Sequence, residues 1–477
     1  MTQTASRSHG SLQQSALEAT GGSSERSEPT ARAASRATFF PTLGGDLPTI
    51  VRAEGIYLFD DRGRRIIDAA GGVGAVTSIG HAVPEVVAAI AEQLQTVAFV
   101  PWTQFQTEPA RQLAEYVATL TPENLNHVAL FNGGSEVTEG AVKLARQYWL
   151  ARGRAEKFMV ISRWQGFHGM TLGASGFGGH TGRRRAYQPM VHDMPKIPPA
   201  YAYRCADCAS GGLRCADELE RTIRWYGAEN VACFIAEPVV GATMGAVPAP
   251  PGYFQRIRDI CDAHDVLLIA DEVMSGFGRT GRWFALQHWG VAPDILVAAK
   301  GVAGGYAPLA VLAASEPIVD ELRAAGTPWV MGHTFAQNPV TATAGLAVLS
   351  YIERHDLVRA AAERGAELRH ALQTIADRHR IVGDVRGLGL LLGIELVQDK
   401  ATREPFAVQD GIAYQLARAC IDEGVAIYPG QGGADGQLGD HALVTPPLTI
   451  TSPQIEDLAA ALDRALTRIE GALGLRG

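Results

Sequence analysis

Between residues 127 and about 315 the chain keeps returning to one pattern: a short apolar run, then a stretch of helical periodicity. The runs are "HVALFN", "KFMVIS", "VACFIAEPV", "VLLIADEV", "ILVAAKG" and "PLAVLAAS"; the stretches between include "SEVTEGAVKLARQYWLARG" and "PGYFQRIRDICDAHD". Runs that are apolar at consecutive positions read as strands buried on both faces, with the helices covering those faces. The pattern predicts an α/β fold around a largely parallel sheet, in which functional groups gather where strands end. At 477 residues the chain is long enough for two domains or one large one. A large domain is expected over residues 101–345 and a smaller α+β domain over 346–477, with residues 39–100 an N-terminal segment packed against the smaller one.

The first 38 residues are rich in Ser, Thr, Ala and Gly with almost no large apolar side chains, and read as a disordered tail. They contain no hydrophobic stretch for a secretory signal, and Glu18, Glu25 and Glu28 oppose an organelle transit peptide, so the cytoplasm is the expected location. No apolar run reaches the roughly 18 residues that span a bilayer. A net charge of −8 argues against broad nucleic-acid binding. Six cysteines are few for this length, as in a reducing compartment. Cys205, Cys208 and Cys215 in "YRCADCASGGLRC" match part of a zinc site or a disulfide loop. With His192 too far along the chain to serve as a fourth ligand, an ordinary surface loop and no metal are expected.

Four of the strand-like runs finish in a chemically useful group. "LFNGGSE" ends in Gly133, Gly134 and Ser135 opening a helix, "FIAEP" in Glu237, "LIADEV" in Asp271 and Glu272, and "LVAAKG" in Lys300. In one parallel sheet those ends share one edge. An ammonium after an apolar strand is costly unless it reaches solvent, pairs with an acid or is wanted as an amine. The glycines and Ser135 offer N–H groups and a positive helix end to a phosphate, or a plain N-cap. Asp271 could pair with Lys300, or hold a proton on a heterocyclic nitrogen while Lys300 forms an imine. A cofactor carrying a phosphate, a pyridine ring and an aldehyde uses all three groups, and pyridoxal 5'-phosphate (PLP) is that cofactor.

From about residue 45 to the C-terminus the chain resembles the class III PLP-dependent aminotransferases, the ω-amino acid and amine transaminases. "IADEVMSGFGRTGRWFA" and "PDILVAAKGVAGGYAPLA" are similar to the family's signature region. "YLFDDRGRRIIDAAGG", "IGHAVPEV", "FNGGSEVTEGAVKLAR", "GFHGMTLGA", "GHTFAQNPV" and "DVRGLGLLLGIEL" follow its pattern in its order. The resemblance implies PLP-dependent transferase fold type I, with a mainly parallel sheet flanked by helices in the large domain. It implies that Lys300 holds PLP covalently and later shuttles a proton, and that Asp271 pairs with the pyridinium nitrogen. Gly134 and Ser135 would bind phosphate. Phe167 would stack on the ring with His168 beside it, and Val273 would pack on the opposite face. Glu237 would lie beside the cofactor. Thr334 would reach the phosphate of the neighbouring subunit in a homodimer with shared active sites.

The chain departs from the family pattern before its "PPL" motif. Where many members have an arginine that grips a substrate carboxylate, "GDHALVTPPLTIT" has Leu443. Arg386 in "DVRGLG" is the remaining candidate for that contact, with a structural role in the smaller domain as its alternative. Met274 replaces a glutamine found near the cofactor ring in some members. Phe105 and Trp102 fall in a region that lines the substrate pocket in relatives, with core packing as the alternative. The resemblance implies ping-pong transfer of an amino group from an ω-amino acid, diamine or amine to a 2-oxo acid such as pyruvate or 2-oxoglutarate. A racemase, epimerase or decarboxylase of the same family is the nearer alternative, and a catalytically inactive PLP-binding regulatory protein the more distant one.

Overall fold

In the computed structural model, which describes residues 47–122 and 124–475, the apolar runs come together as a seven-stranded sheet. The N-terminal tail expected over residues 1–38 lies outside the described residues. Across the sheet the order is His127–Phe131, Ala310–Ala314, Ile295–Ala298, Leu267–Asp271, Val231–Ala236, Met159–Arg163, Lys196–Ile197. Leu267–Asp271, Val231–Ala236 and Ile295–Ala298 are buried at every position, which is why their sequences lack the alternation of a one-faced strand. Neighbours run parallel except Ala310–Ala314, which is antiparallel to both of its partners. The sequence pattern does not separate that strand from the parallel ones. Its direction follows from a connection too short to hold a crossover helix: only the single turn Lys300–Val302 and coil link it to Ile295–Ala298.

Helix Gly134–Ala151 packs on Val231–Ala236 and Ile295–Ala298 and carries its first residues to the sheet edge. Its far end stops at Arg152 and Gly153, where a φ of +71° suits glycine and lets the Gly153 N–H donate to the Leu150 carbonyl at 3.0 Å. Trp149 in its last turn is 0 % exposed, and its indole N–H donates to the Ala232 carbonyl at 2.8 Å. This pair ties the helix to the strand that precedes Glu237.

Strands Val382–Leu388, Leu391–Leu396, Asp440–Val444 and Tyr428–Gln431 form a second, antiparallel sheet backed by helices Leu357–Arg378 and Ile412–Asp422. The N-terminal strands Ile50–Glu54, Tyr57–Asp60 and Arg65–Asp68 make a third sheet, which Val425–Ala426 joins in parallel through Ile67 opposite Val425. We propose that the chain divides into a larger and a smaller domain near residues 345 and 346. Helix Pro339–Arg354 runs unbroken through that point, so the two would share it. Among the described residues no helix is long and apolar enough to cross a membrane.

Trp149→Ala removes the largest side chain between this helix and the sheet, together with its hydrogen bond. It should destabilise the chain by about 3–5 kcal/mol, read as a fall in the urea midpoint, with Trp149→Phe costing less. Equal midpoints for wild type and the alanine variant would show that the helix is held elsewhere.

Candidate active site

Because Val231–Ala236, Leu267–Asp271 and Ile295–Ala298 are parallel neighbours, Glu237, Asp271 and Lys300 emerge at one edge. His127–Phe131 reaches the same edge through the intervening antiparallel strand and delivers Gly134 and Ser135. These ends border a cavity of about 310 Å³ whose lining includes Gly134, Ser135, Phe167, His168, Asp271, Val273 and Lys300, with Val76, Asn132 and Ala307–Leu309 also in the wall.

Lys300 follows its strand by two residues and sits at φ +47°, a left-handed conformation that costs a non-glycine residue about 1–2 kcal/mol. That turn brings its side chain into the cavity wall. Among the described residues no carboxylate lies within ion-pair distance of its amine. Burial pushes its pKa down to about 8, against the opposing pull of Asp271 and Glu237, and the positive charge of Arg183 adds to the fall.

Asp271 is 3 % exposed and held at both oxygens. Oδ1 accepts the Val273 N–H at 3.0 Å, and Oδ2 lies 2.7 Å from Nδ1 of the buried His168. With the carboxylate as acceptor, His168 carries its proton on Nδ1, and its buried Nε2 has no partner among the described residues. The Thr138 hydroxyl donates to the His168 carbonyl at 2.6 Å, so helix Gly134–Ala151 also positions this histidine. Glu237 accepts the Phe167 N–H at 2.9 Å and the Gly241 N–H at 3.1 Å. Its carboxyl is pushed up by burial; His168 opposes the rise and Asp271 adds to it. The Ser135 hydroxyl accepts the Met170 N–H at 3.0 Å. A Cβ at Gly169, whose φ is +133°, would collide with that hydroxyl, so the loop carrying Phe167 and His168 presses directly on the helix start.

The remaining sequence candidates lie elsewhere in the single chain. Thr334 is exposed and borders a neighbouring cavity of about 500 Å³, which shares Asn132 and Pro308 with the first. The Trp102 indole N–H donates to the His333 carbonyl at 3.0 Å beside it, and Phe105 is 59 % exposed. Arg386 does not line the cavity. Its Nε donates to the Gly245 carbonyl at 2.8 Å, Nη1 pairs with Asp384 at 3.0 Å and Glu395 at 2.7 Å, and Nη2 donates to the Met244 carbonyl. Every nitrogen of this guanidinium is engaged inside the protein, an arrangement that supports the structural alternative. Leu443 is fully buried in an apolar cluster with Met274, so no clamp stands at its position. The segment carrying Cys205, Cys208 and Cys215 lies at the surface, with Ala206, Ala209, Ser210, Gly211 and Arg214 exposed, while Cys208 and Cys215 turn inward and the three sulfurs converge.

Arg183 escaped the sequence reading. Its guanidinium carbon lies 4.4 Å from the centroid of the Phe167 ring. In the run Arg183–Arg185 nothing distinguishes the arginine facing this ring from its neighbours until the loop is folded.

The family model described as aminotransferase class-III matches residues 45–466. An aminotransferase of Bacillus subtilis (strain 168), YodT, is 38 % identical over 433 residues, covering 90 % of this chain and 97 % of that one. An omega-amino acid–pyruvate aminotransferase of Pseudomonas putida is 36 % identical over 356 residues, covering 73 % of this chain and 79 % of its own. Among solved structures, a PLP-bound amine transaminase from an uncultivated Pseudomonas species superposes with a TM-score of 0.84 at 33 % identity, covering 90 % of this chain and 98 % of that one. A family match across most of the chain, together with this shared architecture, settles the assignment: the chain belongs to the class III aminotransferases and has the PLP-dependent transferase fold type I.

Proposed function

We propose that this enzyme uses PLP to move an amino group from an ω-amino acid, diamine or amine to a 2-oxo acid such as pyruvate or 2-oxoglutarate, acting as a homodimer. The observation that carries the reading is that a basicity-lowered lysine and a twice-anchored aspartate line one cavity. The residues present fit the coenzyme: an amine for its aldehyde, a carboxylate for its ring nitrogen, free N–H groups at a helix start for its phosphate, and apolar side chains for its faces. When bound, PLP supplies an exchangeable aldehyde carbon and an electron-withdrawing ring.

A pKa of about 8 leaves roughly a tenth of Lys300 neutral at pH 7, against about three parts in ten thousand at the ordinary value of 10.5. Lys300 is thus a nucleophile for covalent capture and, once released by substrate, a base of suitable strength to move a proton at the substrate carbon. Asp271 presents a carboxylate that His168 and the Val273 N–H keep from rotating, and it holds the proton on the ring nitrogen. Gly134 and Ser135 bind phosphate through the helix start. Phe167 and Val273 confine the ring, and Glu237 positions the Phe167 backbone.

The dimer reading is supported by the surface around Thr334, where Phe99, Phe105, Val330 and Phe335 are all exposed. Thr334 on that face would contact the phosphate in the second subunit, and Trp102 and Phe105 would border the second subunit's substrate pocket. The donor class is supported by the relatives' substrates.

With an amine donor and no acceptor, the holoenzyme should release about one carbonyl product per chain and then stop; adding a 2-oxo acid should make consumption continuous. Continuous consumption without acceptor would instead identify a racemase or decarboxylase. Lys300→Ala should lower turnover by about a thousandfold or more. The rate at which apoenzyme captures PLP should climb about tenfold per pH unit and level off above about pH 8, because only the neutral amine reacts and its fraction saturates there. A rate independent of pH below 8 would contradict the assigned basicity.

A further inference from the structure

A carboxylated substrate needs a cation near the cavity, and neither Leu443 nor Arg386 provides one. We propose that Arg183, with the cavity behind it, binds a substrate carboxylate and so selects carboxylate-bearing substrates over amines that lack one; this deepens the aminotransferase reading and depends on it. Arg183 lies over the face of Phe167, whose ring lines the Lys300 cavity, and its charge is felt at Lys300. On its other side a second cavity of about 380 Å³ is lined by His180, Arg183, Arg185, Tyr414, Tyr428 and Gln431. Arg183 Nη2 donates to the Tyr428 hydroxyl at 3.3 Å, which leaves the rest of the planar fork for a two-oxygen ligand. Among the described residues no carboxylate pairs with Arg183 or Arg185. The adjacent Arg184, by contrast, is buried and paired with Asp193.

The loop is held so that Arg183 keeps this position. His180 caps the short helix Thr181–Arg184 by accepting the Arg183 N–H on Nδ1 at 3.2 Å, while its Nε2 faces the Gln431 carbonyl at 3.2 Å. That pattern needs the neutral Nε2–H tautomer, and burial lowers the His180 pKa in the same sense. An imidazole without charge leaves the cavity's positive potential to the arginines and does not compete for the anion.

The test compares matched substrates on holoenzyme: 4-aminobutyrate against butylamine as donors, each with the same acceptor, for wild type, Arg183→Gln and Arg183→Lys. Arg183→Gln should raise KM for 4-aminobutyrate by about ten- to a hundredfold more than it raises KM for butylamine, with partial recovery of that ratio in Arg183→Lys. Equal losses on both donors, or none on either, would overturn the assignment. Calorimetric titration of holoenzyme with glutarate, which cannot transaminate, gives a second readout: wild type should bind it and Arg183→Gln should bind it at least tenfold more weakly. Failure of wild type to transaminate any donor would refute the aminotransferase reading, whereas equal glutarate binding by both proteins would refute only the role of Arg183.

A separate observation lies in the segment Tyr201–Cys215. The sulfurs of Cys205, Cys208 and Cys215 all lie within 4.8 Å of one another, with Cys205 3.7 Å and Cys208 3.0 Å from Cys215. Two sulfurs on a tetrahedral zinc with bonds of about 2.3 Å stand roughly 3.8 Å apart. The backbone fixes this grouping independently, since the Cys208 N–H points at the Cys205 sulfur at 3.4 Å and the Arg214 N–H donates to Asp207 at 3.0 Å. The geometry points to a three-thiolate site for Zn²⁺ with water as its fourth ligand. Elemental analysis of holoenzyme purified from zinc-supplemented growth should find about one zinc per chain, falling below about a tenth in Cys205→Ser/Cys208→Ser while coenzyme absorbance is retained. Zinc below a tenth in wild type would overturn the site, whether thiol titration in denaturant then counts six free thiols or only four.

Discussion

An amine with no carboxylate of the described residues in ion-pair distance, held in a left-handed turn at the buried end of a strand, is the constraint around which the site is arranged. Placing Lys300 there costs desolvation of its charge and about 1–2 kcal/mol of backbone strain. Folding tolerates that cost because the strand leading to it is buried along its whole length and cannot shift register without exposing its apolar side chains. The same sheet that fixes Lys300 also fixes Asp271 and Glu237, because adjacent parallel strands end together.

Around this core the polar contacts chiefly orient. Asp271 is held at both oxygens and Glu237 accepts two backbone N–H groups, so neither carboxylate is free to swing onto Lys300 and neutralise it as an ion pair. Helix Gly134–Ala151 contributes twice, through Ser135 to the Met170 N–H and through Thr138 to the His168 carbonyl. One helix thereby sets both the end suited to phosphate and the histidine behind the aspartate. Basicity alone would not single out Lys300. Burial also lowers Lys157 to a pKa of about 8, yet its ammonium donates to the carbonyls of Ala228, Val231 and Asp265 and lies outside the cavity.

Much of this was legible in the sequence, for physical reasons. Fully apolar runs identified the strands of the central sheet, and the polar residue closing each run identified Glu237, Asp271 and Lys300, because a parallel sheet converts chain pattern into a shared edge. The direction of Ala310–Ala314 was not legible, since a buried antiparallel strand has the same composition as a parallel one. The surroundings of Arg386 were not legible, because a motif match reveals a residue type and not what packs against it; the carbonyls of Met244 and Gly245 come from a distant segment of the chain. Arg183 and the gathering of Cys205, Cys208 and Cys215 depend on how two loops close. Loop closure is set by scattered contacts such as His180 to Gln431, which leave no periodic mark.

The central claim is that one amine, chosen by position over others of equal basicity, forms the covalent bond to the coenzyme. The most direct measurement is borohydride reduction of the PLP-reconstituted enzyme, followed by peptide mass mapping of the phosphopyridoxyl label. The expected result is a single labelled residue, Lys300, at close to one label per chain, with Lys157 unmodified. Label on Lys157 or spread over surface lysines, or no stable label at all, would contradict the account.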